Sequence, residues 1–567
     1  MILFFLRRHP SFALAILWLG FEIPFLSTAF RVDEPYYLAI AKQIMRYPLD
    51  PYGFQINWLG VPKLVSESFA SPPLVPAWIA AWELLFPWNE YSIHVAMVSF
   101  GLLALHGLVQ LSRHYQVDPS LAVLLFCYSP AFFLGSQVVM LDVPMLSLLL
   151  LGVAYALTYQ ETGQKSAWGV AFAASFLCPL TKYNGLLIVP LLMLLLVEGR
   201  RRIGISLLTT APICSFIFWN LFTWRKYGRP NVLLLFDLQK NLEKSKVLLG
   251  HEMGILIAIG LGAISIAIPL LLFQVKSLRK SYTFGIPLVF VFSFLWARYQ
   301  IHYSSVSAFL TGVGVSIIWM LSDAVLRQFW KYPISRNLKS ILLMLWFSLG
   351  MLMQLGIAAT SVRYTLIVAP PVILIVLMLL KNFDWRPTPA VRTSALLLSV
   401  ILSLSIAIGD AEIANGYRQI VLHRIAAPSD ELRNRFYFAG HWGFHYYAEQ
   451  AGGIALDTSR QQSFEPRDLV VVAQNAWPGM RSLQFPAGQK LETSVEQFVP
   501  KWPVNTITCD GGANFYGNRL ASCERPTLLP FTLGHFTSEV FLFYRILGPA
   551  EAINAATLLG RGFAHSE

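Results

Sequence analysis

Long apolar runs, each close to the length that crosses a bilayer and separated by short pieces rich in Lys and Arg, constrain this chain more than any other feature. Backbone in lipid has no water to pair with, so each such run must satisfy its own N–H and C=O groups, which a helix does. The composition agrees. The 567 residues are 55% hydrophobic and 13% charged, with a mean hydropathy of +0.55, whereas soluble domains carry about one quarter charged residues. A chain this apolar excludes disorder. Its 37 Gly and 33 Pro follow no period, which excludes a collagen-like fibre. The fold class expected is a polytopic α-helical membrane protein.

The apolar runs predict spans at 11–30, 92–112, 119–135, 143–159, 167–181, 184–198, 204–223, 253–274, 282–297, 304–322, 340–359, 366–380 and 393–410, about 13 in all. The net charge of +12 has a local explanation. Arg7-Arg8, Arg200-Arg201-Arg202, Lys276/Arg279/Lys280, Arg327/Lys331/Arg336/Lys339 and Lys381/Arg386/Arg392 sit in gaps between spans, and cytoplasmic loops collect such charges. Nucleic acid is therefore not implied as a partner. With Arg7-Arg8 inside, an odd number of spans places the C-terminus outside. The first span starts like a signal peptide, but its length favours an uncleaved anchor over cleavage near Ser27-Thr28-Ala29.

Three outside segments are long. Residues 31–91, rich in Pro, Trp and Tyr, suit helices lying along the membrane surface. Residues 224–252 read as a polar, basic loop whose Arg225, Lys226 and Arg229 sit near anionic headgroups or gather phosphate. The expected domains are a membrane module, 1–410, and an extracytoplasmic α/β domain, 411–567. In the latter, Phe436-Tyr437-Phe438, Leu469–Val472 and Val540–Tyr544 read as buried strands, with a helix at 443–451. Cys127, Cys178 and Cys214 fall in or beside spans and are expected to be buried. Cys509 and Cys523 lie in the outside domain, with turn formers between them; an oxidising compartment permits a disulfide there.

Candidate chemistry gathers at the outside surface. Arg31-Val32-Asp33-Glu34-Pro35-Tyr36-Tyr37 follows the first span. A carboxylate there suits a general base on a hydroxyl or an oxygen ligand to a divalent cation; a solvated helix start suits it equally. Asp142 lies between two apolar runs, where ionisable groups are expensive and commonly functional; it also fits a helix N-cap before Val143-Pro144. Lys182, in Thr181-Lys182-Tyr183-Asn184-Gly185, and Arg363, in Ser361-Val362-Arg363-Tyr364-Thr365, occupy brief polar gaps. Together they suit a phosphate, the Arg by a two-point contact, although snorkelling explains each singly. His441 and His445 stand four residues apart, which suits a metal, an aromatic sugar surface or plain packing.

The order of these pieces resembles the polyprenyl-phosphate-sugar-dependent glycosyltransferases of the C superfamily, specifically the bacterial protein-mannosyltransferase-like and aminoarabinose-transferase-like group. Asp33-Glu34-Pro35-Tyr36-Tyr37 is similar to that group's acidic first-loop motif, and Leu141-Asp142 to the Leu-Asp of its second outside loop. The resemblance covers roughly residues 10–380. One departure is Ser71 before Pro72-Pro73-Leu74, where members often carry a basic residue or His; Lys63 and Lys182 are candidates to replace it.

The resemblance implies a sugar on a lipid phosphate as donor and a protein, lipid or glycan hydroxyl as acceptor, with inversion at the anomeric carbon. It implies Asp33 as base, Glu34 as orienting group or metal ligand, and Asp142 as holder of a metal, the acceptor or a cation. Lys182, Arg363, Lys63 and Tyr364 would bind the donor phosphate, Tyr36 and Tyr37 the acceptor or a metal. A divalent cation is a possible cofactor. The site of action would be a bacterial inner membrane, N-terminus cytoplasmic. Two other classes fit a polytopic chain: a transporter or flippase, and a scaffold with an outside binding domain. Repeated halves with broken helices at the midplane would mark a transporter, and none is visible.

Overall fold

The computed structural model describes residues 10–243, 276–300, most of 308–326, 338–356, 361–382, 387–425, 435–476, 485, 490–517, 523, 527, 529–548 and 553–554. The chain forms two compact units. The first comprises Met1–Leu26, Ala70–Trp78 and Ile93–Ala407; the second comprises Ser27–Phe69, Ile79–Ser92 and Ile408–Glu567. Most of the first outside segment thus groups with the C-terminal residues rather than with the membrane module.

The first unit is helical. Among the described residues, five helices are long and apolar enough to cross a membrane: Glu90–His114, Asp142–Thr162, Arg202–Tyr227, Val362–Asn382 and Pro389–Ile425. A sixth is the pair Pro119–Cys127 and Pro130–Gln137, bent by 69°. The bend has a local cause. Pro130 has no N–H to donate, and Ser129 before it is extended, at φ −76° and ψ 136°, the conformation that a following proline favours.

The expected count of about 13 is not what these residues give. The predicted span 253–274 lies outside them, and 304–322 is described in part. Others are shorter than a full crossing: Ser11–Phe25, Tyr183–Glu198, Phe284–Tyr299 and Leu338–Gln354. The basic loop expected at 224–252 is helical where described, since Arg202–Tyr227 runs to a left-handed Gly228 and Asn231–Glu243 follows.

Packing in this unit is that of a membrane bundle. Trp18, Phe126, Tyr128, Phe132 and Phe133 are fully buried. Gly107 lets Glu90–His114 approach Asp142–Thr162; a Cβ there would lie 2.8 Å from the Leu150 Cβ, a small-residue contact of the kind that draws membrane helices together. Arg202–Tyr227 exposes Ile203, Leu207, Ile217, Phe218 and Leu221, as a helix facing lipid does. Cys214, expected to be buried, is exposed on this helix, while Cys127 and Cys178 are buried.

In the second unit a five-stranded mixed sheet is built from β1 (Phe436–Ala439), β2 (Ile454–Ala455), β3 (Leu469–Ala473), β4 (Leu491–Phe498) and β5 (Glu539–Ile546), ordered β2-β1-β3-β5-β4. β1 pairs in parallel with β2 and β3; β5 runs antiparallel to β3 and β4. The helix Trp442–Gln450 makes the crossover from β1 to β2. β1 and β3 are buried along their whole length, which is why both read as continuous apolar runs. β4, at the edge, carries the exposed Glu492 and the half-buried Glu496, the charge that keeps an edge from pairing further. Tyr437, Leu456, Phe464, Val470, Val472, Tyr544 and Ile546 form a core against the sheet. Cys509 and Cys523 are joined by a disulfide, Cα to Cα 5.3 Å.

Candidate active site

The candidate residues fall into two groups, one in each unit. In the first unit, three breaks in helical structure place three charges. Asp142 is the first residue of Asp142–Thr162. Lys182 ends Lys165–Thr181 in an extended conformation, φ −156° and ψ 139°, before the short turn Tyr183–Leu187. Arg363 and Tyr364 open the 3-10 turn Val362–Val368. The Lys182 Nζ donates to Asp142 Oδ1 at 2.6 Å, and Arg363 Nε lies 3.9 Å from Asp142 Oδ2. The Tyr364 ring lies beneath both cations, 4.2 Å from Lys182 Nζ and 5.1 Å from Arg363 Cζ. Arg363 Nη2 also donates to the Tyr364 hydroxyl at 3.3 Å.

These side chains are 8% (Asp142), 19% (Lys182) and 13% (Arg363) exposed. Two cations thus share one carboxylate in a mostly shielded place. Asp142 does not cap its helix, since Leu141 holds that position; its carboxylate faces the cations instead.

In the second unit, Arg31 to Glu34 form a tight entry to the helix Glu34–Arg46. Val32 has φ +45°, a left-handed conformation that a β-branched residue adopts only under constraint. Asp33 precedes the helix with no capping hydrogen bond from its side chain and is half-buried. Its carbonyl accepts from Tyr36 N at 3.0 Å and Tyr37 N at 3.4 Å. Glu34 is fully buried, and its Oε2 accepts from Arg31 N at 2.6 Å.

Tyr36 and Tyr37 are packed. Tyr36 bonds Ser68 Oγ at 2.8 Å and stacks on Phe69 at 5.3 Å, and Tyr37 meets Phe69 edge-on; burial pushes the Tyr36 phenol up to about 12. Lys63 is exposed on a two-residue strand paired with Gln55–Ile56. His441 and His445 each lie 5.3 Å from the Trp58 ring. Burial, then the neighbouring His445, holds His441 down to about 3, so it is a neutral packed ring.

Asp142 already faces Lys182 and Arg363, and Glu34 is sealed against the Arg31 amide. Among the described residues no group of three or more His, Cys, Asp or Glu is placed to hold a metal.

Two site residues were not singled out from sequence. Arg31 pairs with Asp410, whose carboxylate also accepts from Thr506 Oγ1 at 2.8 Å and Tyr516 OH at 2.7 Å. The signal for Asp410 was there: it is the first charge after an apolar run.

No family model matches the chain, and no curated protein matches it by sequence. Among solved structures the chain is similar to the oligosaccharyltransferase of Archaeoglobus fulgidus in its apo form, at 13% identity over 79% of this chain and 64% of that one, TM-score 0.45. It is also similar to ArnT from Cupriavidus metallidurans bound to undecaprenyl phosphate, at 15% identity over 81% of this chain and 92% of that one, TM-score 0.36. A third is the arabinofuranosyltransferase AftD from Mycobacteria, at 12% identity over 95% of this chain and 40% of that one, TM-score 0.39. The chain spans less than two thirds of the length of the archaeal enzyme. These scores are low, so the reading of function rests on the chain's own residues.

Proposed function

We propose that the chain is a membrane glycosyltransferase that moves a sugar from a polyprenyl-phosphate donor to an acceptor hydroxyl at the extracytoplasmic membrane surface. The observation that carries this reading is the cluster of Asp142, Lys182, Arg363 and Tyr364, where two shielded cations share one carboxylate. A lipid phosphate is an anion whose tail already lies in the bilayer beside such helices. The order of motifs in the sequence supports the same class.

In the reaction, the acceptor oxygen forms a bond to the anomeric carbon as the bond from that carbon to the phosphate oxygen breaks. The electron pair leaves with the lipid phosphate, and Lys182 and Arg363 stabilise the charge that develops there. Asp142 holds the two cations side by side. Asp33 takes the acceptor proton. Glu34 ties the turn back to Arg31. A single displacement of this kind inverts the anomeric centre. The acceptor is a protein, lipid or glycan hydroxyl, the sugar a hexose or pentose, and the membrane a bacterial inner membrane with the N-terminus cytoplasmic.

The experiment is mass analysis of cell-envelope glycans in a deletion strain. One glycan class should lose a sugar and regain it when the wild-type gene is restored. Unchanged glycans in the deletion strain overturn the proposal and favour a transporter or scaffold.

A further inference from the structure

The residues that lead into the acidic turn are held one after another by C-terminal residues of the same unit. Ala29 N donates to Asn415 Oδ1 at 3.0 Å, and Phe30 N to the Tyr447 hydroxyl at 2.9 Å. The Arg31 guanidinium pairs with Asp410, their side chains 4% and 1% exposed. The Phe30 carbonyl also presses on Gly443, where a Cβ would lie 2.0 Å from it, so only glycine fits. The chain then turns through the strained Val32 and delivers Asp33 and Glu34.

Stability alone does not account for this arrangement. A non-glycine residue in such a conformation costs about 1–3 kcal/mol and persists where its surroundings over-determine it. A buried ion pair is a weak source of stability. Arg31 Nε and Nη2 are buried with no hydrogen-bond partner among the described residues, a further expense. Three costs within two residues of a candidate base point to positioning.

We propose that Arg31 is a positioning residue for the transfer reaction: Asp410, itself fixed by Thr506 and Tyr516, holds Arg31, and this clamp sets the Val32 turn and the aim of Asp33. The contribution of the C-terminal residues to the reaction is then the clamp. The proposal rests on the transferase reading.

The test uses the full chain in lipid nanodiscs, with Arg31→Met, Arg31→Lys and Tyr516→Phe. Hydrogen exchange should rise about tenfold or more at 29–37 in Arg31→Met and Tyr516→Phe, while β3 keeps wild-type protection. Restoration of the lost glycan in the deletion strain should fall about 30-fold or more for Arg31→Met and about threefold to tenfold for Arg31→Lys. Affinity for added undecaprenyl phosphate should stay within about twofold of wild type, because its cations are Lys182 and Arg363. A merely structural role would lower binding and turnover together. Should Arg31→Met fail to accumulate, Tyr516→Phe, which removes one hydroxyl and keeps the ring, decides in the same direction. Unchanged exchange at 29–37 overturns the clamp whatever the activity, and wild-type turnover in Arg31→Met with raised exchange overturns the positioning role. Failure of the wild-type gene to restore any glycan counts against the transferase reading instead, and the exchange result then decides the clamp alone.

Discussion

Arg363 and Lys182 differ in what they bring to Asp142. Lysine offers a point charge, which meets the carboxylate at 2.6 Å. Arginine offers a planar fork that meets two phosphate oxygens at once. Arg363→Lys keeps the charge and loses the fork, so affinity for undecaprenyl phosphate should weaken about tenfold, the worth of roughly one charge-assisted hydrogen bond. Titration of the nanodisc-embedded protein with that lipid checks this; equal affinity would mark Arg363 as a snorkelling side chain. Asp142, Lys182 and Arg363 were legible in the sequence because a lone charge between apolar runs is conspicuous. The Arg31–Asp410 pair was not, because its partners lie 379 residues apart and neither carries a local signal of the other. Asp142 also read as a helix cap, and the structure gives that position to Leu141.

Among the elements, the central strands and some of the spans were readable, and the edges were not. β1 and β3 are apolar throughout because both faces are covered. β4 escaped notice because Leu491-Glu492-Thr493-Ser494-Val495-Glu496 carries an edge strand's polar sequence without clean alternation. The bend at Ser129-Pro130 was written in the sequence, but the surrounding apolarity read as one straight span. β5 carries a consequence of burial that can be measured. Glu539 accepts from Asn475 N at 2.7 Å, Ala476 N at 2.9 Å and the Tyr417 hydroxyl at 2.8 Å. Burial nevertheless outweighs these bonds and pushes its carboxyl up to about 7 from 4.5. Between those values the folded chain keeps a proton that the unfolded chain has lost. Stability from this group is therefore present below the lower value and is lost as pH rises through the upper one, by about 3 kcal/mol. Glu539→Gln is neutral throughout. Thermal melting at pH 5 and pH 8 should show a larger fall for wild type than for the variant; parallel falls would contradict the burial argument.

At the scale of the whole molecule, we propose an orientation from the basic clusters: N-terminus inside, C-terminal residues outside. A reporter fused to the C-terminus should be active only when exported, and activity only in the cytoplasm would reverse the topology and remove the case for an oxidising compartment around Cys509 and Cys523. The boundary after Ala407 falls where the apolar runs end. That residues 27–69 belong with the C-terminal residues was not legible, because the contacts that join them, such as Asn57 Nδ2 to the Leu456 carbonyl at 2.8 Å, are all distant in sequence. The proposed activity makes one demand on the molecule that no transporter or scaffold shares: a sugar must leave its lipid phosphate for a hydroxyl, with Asp33 taking the proton. The measurement is the rate at which undecaprenyl phosphate is released and sugar is gained by envelope acceptor when the nanodisc-embedded protein is mixed with the donor lipids of the deletion strain. Wild type should release one lipid phosphate for each sugar transferred, and Asp33→Asn, folded and inserted, should be slower by about two to four orders of magnitude. Near-normal turnover in Asp33→Asn would contradict the account.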